Sequence, residues 1–170
     1  DSAQRIWFYH EDGKFIKKLD EQTDSVGYYG WYSTDTILYY KLTKPHSLYL
    51  YTPGNQNEIR IARDPSRSIR KLKGNRFMFA IKDSSAIRYF IYHTDIKKAD
   101  LFAEHKSNSE DFIFHNTYGL MKSEGTQILN YDEKSKNWKV FFDGTSYGIK
   151  KITRFAFSSD NKKLVMVDNT

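Results

Sequence analysis

The side chains best equipped for chemistry in this sequence are basic and sit close together. Residues 63–76 read RDPSRSIRKLKGNR, with Arg63, Arg67, Arg70, Lys71, Lys73 and Arg76 against the single acid Asp64. That stretch holds a net +5 of the chain's +6. Arg67, Ser68 and Arg70 form its candidate anion-binding set, because guanidinium groups fork onto a carboxylate or phosphate in bidentate fashion. The same run also reads as a solvated connector that aids solubility. A nucleic-acid partner is not expected, since a nucleic-acid coat spreads its cations over a face or along a helix with aromatics interleaved.

Other chemistry is sparse. There is no glycine-rich phosphate loop, no G-x-S-x-G and no H-E-x-x-H in the 170 residues. No serine is singled out as one with a histidine and an acid in reach. With no cysteine there is no disulfide framework, thiolate nucleophile or thiolate metal site. The histidines are His10, His46, His93, His105 and His115. His10 and His93 recur at equivalent places, Tyr-His-x-Asp, where a turn needs polar residues, so a structural role outweighs a metal role. Asp12, Asp35, Asp95, Asp132 and Asp160 fall in turns, where Asp bonds its own backbone. Glu110 and Asp111 are adjacent, and successive strand residues point to opposite faces, which makes them a poor catalytic pair. No catalytic residue, metal site or cofactor is expected.

The elements that must carry these residues are strands. Aromatics make up 16% of the chain, with only 3 Pro and 9 Gly, which excludes disordered and low-complexity classes. No apolar run approaches the ~18 residues of a membrane span, so membrane insertion is not expected. Short runs rich in Tyr, Phe, Ile, Val and Leu alternate with Gly, Asn, Asp and Ser clusters. Four segments share one pattern: 5–19, 47–62, 88–103 and 127–142. Their tyrosines, Tyr9, Tyr51, Tyr92 and Tyr131, are spaced by 42, 41 and 39 residues. A second hairpin type lies between them, with turns at Asp35, Asn75, Tyr118–Gly119 and Asp160–Asn161.

Two hairpins per ~40 residues make one four-stranded antiparallel sheet, and such sheets arranged radially make a β-propeller. The expected fold is therefore all-β, a propeller with about four blades' worth of chain. A single domain over 1–170 divides into an outer hairpin (1–24), blades at 25–66, 67–108 and 109–147, and an inner hairpin (148–170). Either the two end hairpins form one split blade, or the chain is an arc of a six-bladed ring. An incomplete ring would leave strand edges exposed, which makes a homodimer a further expectation. Trp7, Trp31 and Trp138 sit inside strands and are expected in blade packing. Tyr28, Tyr29 and Tyr32 flank an innermost strand, where their rings could stack on a ligand. Arg154, Glu110 and Asp111 each lie at the start of an inner strand. They either enter the same channel mouth as Arg67 and Arg70 or pair as an ion bridge between blades.

The closing stretch ITRFAFSSDNKKLVMV resembles the repeat of TolB-like, WD-repeat-like propellers, in which a small-apolar strand, S-P-D-G-K and a second apolar strand form the inner hairpin. Ser158, Asp160 and Lys162 match, while Ser159 and Asn161 replace the usual Pro and Gly. QRIWFY (4–9), VGYYGW (26–31), DPSRSIRKL (64–72) and SEDFIF (109–114) extend the resemblance to bacterial secreted or periplasmic members. Tyr29 stands where His would be expected and Phe114 where Trp would be. The resemblance implies a non-catalytic protein- or ligand-binding scaffold of the envelope or secreted fraction. It also favours a C-terminal portion of a longer, six-bladed parent; the absence of an initiator Met at Asp1 accords with a processed product or fragment. The expected binding face comprises Tyr28, Tyr29, Arg67, Ser68, Arg70, Glu110, Asp111 and Arg154, and its expected partner is a protein or a small anionic ligand. The alternative is the gating or substrate-selecting propeller of a larger peptidase-type enzyme, whose catalysis resides in a separate α/β domain.

Overall fold

A computed structural model of the chain describes residues 4–19, 25–52, 57–107 and 109–169. The structure is almost entirely β, with a single 3-10 turn at Thr145–Tyr147 among the described residues. Two compact units divide it, residues 1–67 and 68–170.

The first unit opens with a hairpin of β1 (Trp7–Tyr9) and β2 (Phe15–Lys18). A four-stranded antiparallel sheet follows, β3 (Val26–Trp31), β4 (Ile37–Lys41), β5 (Ser47–Thr52) and β6 (Asn57–Arg63), in chain order. Its core joins Ile6 and Leu19 from the hairpin to Val26, Ile37, Tyr39 and Tyr51 from the sheet. The turn between β5 and β6, residues 53–56, lies outside the described residues.

The second sheet is β7 (Pro65–Lys71), β8 (Arg76–Lys82), β9 (Ile87–His93) and β10 (Lys98–His105). The third is β11 (Phe112–His115), β12 (Gly119–Glu124), β13 (Gln127–Asp132) and β14 (Asn137–Asp143), again in chain order. A final hairpin pairs β15 (Ile152–Phe157) with β16 (Leu164–Asp168). This is the blade topology that the forty-residue repeat predicts.

Within residues 68–170 one core packs Met78, Tyr89 and Ala103 of the second sheet against Phe112, Leu120 and Tyr131 of the third. Another packs Met121 and Ile128 of the third sheet against Ile152 of the closing hairpin, with Phe155 and Met166 beside it. Leu120 and Met121 are neighbours in β12 and point to opposite faces, yet both are fully buried. A sheet sandwiched on both sides has no solvent face, which is why its strands lack apolar–polar alternation.

The turns follow from side-chain chemistry. Asp12, Asp132 and Asp160 each accept a backbone N–H two residues on, from Lys14, Lys134 and Lys162, at 3.0–3.1 Å. Asp35 differs, because it holds the hydroxyls of Ser33 (2.7 Å) and Thr36 (3.1 Å) instead. Asn161, in the place of the usual Gly, adopts φ +58°. Asn tolerates that left-handed conformation, and its Oδ1 lies 2.8 Å from Nε2 of His115. His115 accepts the N–H groups of Thr117 and Tyr118 on Nδ1, so its proton is on Nε2 and is donated to Asn161. The substitution thus ties the closing hairpin to β11.

Two packing expectations need correction. Trp138 is half-buried against the core, but Trp7 and Trp31 are 52% and 53% exposed. Trp7 packs across its two-stranded hairpin onto Phe15, and Trp31 onto Phe8, each with ring centroids 5.7 Å apart. The rest of each ring faces solvent. For the same reason Tyr51, Tyr92 and Tyr131 are buried whereas Tyr9, their counterpart on β1, is exposed.

Candidate functional site

The first strands of the second and third sheets and of the closing hairpin bring a set of polar groups together. Pro65 opens β7 where its missing N–H breaks no ladder bond of a central strand, and Ser68 lies buried midway along the strand. The Ser68 hydroxyl donates to Oδ1 of Asp111 at 3.1 Å. Asp111 immediately precedes β11, and its Oδ2 accepts Nε–H of Arg154 from β15 at 3.4 Å. One carboxylate therefore bonds β7 and β15. Arg154 is 71% exposed at its side chain, against 32% for Asp111.

Arg70 of β7 lies near enough to feel the Asp111 charge. It is half-buried, with its guanidinium 6.0 Å from the centre of the Phe112 ring and an N–H donated to the carbonyl of Ile69. Burial pulls its pKa down, and the neighbouring Asp111 carboxylate opposes that shift. Glu110 pairs with Lys82 of β8 at 3.5 Å. Thus Ser68 and Arg154 bond the Asp111 carboxylate, Arg70 feels its charge, and Glu110, the next residue, is in an ion pair with another strand.

The remaining predicted residues lie in the first unit. Arg67 is exposed on β7. Tyr28 and Tyr29 on β3 are 44% and 64% exposed, and Tyr28 meets Tyr40 edge-on at 5.8 Å. Tyr32 is buried, so its ring serves packing.

The cluster is suited to binding through charge and hydrogen bonds. Ser68 gives its proton to a carboxylate, and among the described residues no histidine is bonded to it. No group of three or more His, Asp or Glu that could hold a metal ion occurs among the described residues.

A second polar cluster was missed in the sequence. Lys122 in β12 is completely buried. Its Nζ donates to Nδ1 of His105 (3.0 Å), lies 3.5 Å from Oε2 of Glu124, and sits 5.8 Å from the centre of the Trp138 ring. Burial pushes the ammonium down to about 8, with Glu124 opposing. His105 is held below its ordinary value by burial first and by the Lys122 charge second. The buried hydroxyl of Tyr89 finds no hydrogen-bond partner among the described residues, and burial together with the Glu124 charge raises its pKa. The signal was available in GLMKSE, a lysine inside a strand whose neighbours face two cores.

No protein-family model matches this sequence, and no curated protein matches it. Among solved structures, the crystal structure of TolB from Acinetobacter baumannii superposes with a TM-score of 0.69 at 15% identity. The match covers 97% of this chain and 43% of that one. The chain therefore has a TolB-like β-propeller fold and spans less than half the length of that structure.

Proposed function

We propose that this chain is a non-catalytic propeller scaffold that binds an acidic protein surface or a small anionic ligand in the bacterial envelope or secreted fraction. The observation that carries the reading is the oriented, exposed guanidinium of Arg154. Its Nε–H is spent on Asp111, which the Ser68 hydroxyl holds in turn. A guanidinium has five N–H donors in a rigid fork, so the outer edge remains available to an incoming carboxylate. A side chain already held in its binding orientation loses less entropy on association. Arg67, exposed on β7 next to Ser68, adds a second cation. The envelope assignment rests on the resemblance in the inner-hairpin motif, and the scaffold role on the TolB-like fold.

Because Arg70 packs on Phe112, the informative substitutions are Arg67→Glu combined with Arg154→Glu. A fluorescently labelled peptide rich in Asp and Glu is titrated into each form at low and physiological salt. The wild type binds saturably, and the double variant binds at least about tenfold more weakly, as loss of charge complementarity predicts. Its melting temperature stays close to wild type, since exposed substitutions usually fall within about 0.5 kcal/mol. Absence of binding to the wild type, or equal affinity in the two forms, overturns the proposal.

A further inference from the structure

The turn joining β7 to β8 closes one end of a cavity of about 530 Å³ wedged between the second and third sheets. Its apolar wall comes from Ile91 of β9, Phe102 of β10 and Phe114 of β11. All three pack only partly against the core, and Phe102 meets Phe114 edge-on with centroids 6.4 Å apart. Each therefore keeps apolar surface turned towards the cavity. Lys71, Lys73 and Arg76 contribute cations to the lining, against one carboxylate, Glu133. The turn that bears them is pinned by the Leu72 N–H to the Arg76 carbonyl (3.0 Å) and by Arg76 Nε–H to the Lys73 carbonyl (3.2 Å). Gly74, at φ +71°, permits its shape.

We infer that this cavity is a binding site for a small organic anion, a carboxylate carried on an aromatic or acyl body. The volume lies within the range of roughly 300–1,000 Å³ typical of small-ligand sites, which are mostly apolar with a few placed polar groups. Covering the exposed flanks of Phe102 and Phe114 supplies the drive, since removal of apolar area from water is favourable in proportion to the area. The excess of cations supplies the sign, so an anionic head lies towards Lys73 and Arg76 and the body lies against the rings. The site is separate from the Asp111 cluster. Asn116, which also lines the cavity, is five residues along the chain from Asp111, about 16 Å in extended form.

The test is an NMR titration of the 170-residue chain with 3-phenylpropionate, with 3-phenylpropan-1-ol and acetate as controls lacking the charge or the body. Saturable amide shifts are expected from the full anion, concentrated at Lys71–Arg76, Ile91, Phe102 and Phe114–Asn116, and much weaker ones from either control. Lys73→Glu, which leaves the Arg76 turn contact in place, should reduce the affinity about tenfold. No saturable shifts, equal binding of the neutral alcohol, or shifts gathered at Ser68, Asp111 and Arg154 would each overturn the assignment. The last of these results would leave the anion-binding face of the preceding proposal standing. Conversely, failure of the acidic peptide to bind leaves the cavity unaffected.

Discussion

Two clusters in residues 68–170 each hold a close pair of opposite charges and behave differently. Around Asp111, Ser68 and Arg154 meet a carboxylate with one partner largely in solvent. Around Lys122, His105 and Glu124 meet an ammonium that is wholly buried. The first charge group keeps water on its exposed guanidinium and can exchange it for a ligand. The second has lost its water, so its ionisation is displaced and its interactions are locked into the packing between two sheets. An exposed ion pair is worth roughly 0–1 kcal/mol. A buried one is often no better than an apolar replacement of equal size. Exposure, more than residue type, separates the proposed docking surface from a structural polar core.

Phe112 touches both clusters, lying under Arg70 and edge-on to Tyr89 at 5.3 Å. Phe112→Ala is the substitution that collapses the comparison. It should destabilise the chain by about 3–5 kcal/mol, as loss of a buried ring usually does, and calorimetry or urea unfolding reads it directly. A loss below about 1 kcal/mol would mean that the two sheets do not depend on this contact.

Lys122→Met sharpens the contrast from the buried side. Because the native pKa lies below that of the unfolded lysine, the native state binds fewer protons between about pH 8 and 10.5. Stability therefore rises with pH across that window, while the burial penalty is fully present below it. Above about pH 10, ionisation of the unfolded Tyr89 pulls the other way, since the native phenol resists losing its proton. Melting curves from pH 7 to 9.5 should show a rising wild-type trend that the methionine variant lacks. The variant should match the wild type at pH 7 or exceed it by up to about 3 kcal/mol. A parallel trend in both proteins would show that Lys122 is not the titrating group.

The smallest effect is expected at the exposed cluster. Asp111→Asn keeps the shape and an acceptor for Ser68 and removes the charge facing Arg154. Thermal unfolding should change by less than about 1 kcal/mol. A drop as large as that from a core truncation would identify Asp111 as a tertiary staple, which is the ion-bridge reading, and would weaken the case for a binding face.

The strand runs and their turns were legible because both are local. Alternating Cβ direction and the self-bonding of Asp12, Asp132 and Asp160 act over two to four residues, so the forty-residue recurrence exposes the sheets. The basic stretch was also visible, but only part of it behaves as its composition implies. Arg70 turns onto an aromatic ring, whereas Lys71, Lys73 and Arg76 line a cavity instead of forming only a solvated connector.

What the sequence by itself determined is the all-β repeat, the positions of its turns and the lack of any recognisable catalytic motif. Only the tertiary structure decided which side chains see water. Trp7 and Trp138 occupy similar strand contexts, yet one is half in solvent and the other packs on a core. Lys122 and Arg154 both lie in strands among apolar neighbours, yet one is sealed and the other is open. The physical reason is that a strand's pattern specifies its two faces, while burial depends on whether another sheet, distant in the chain, covers each face.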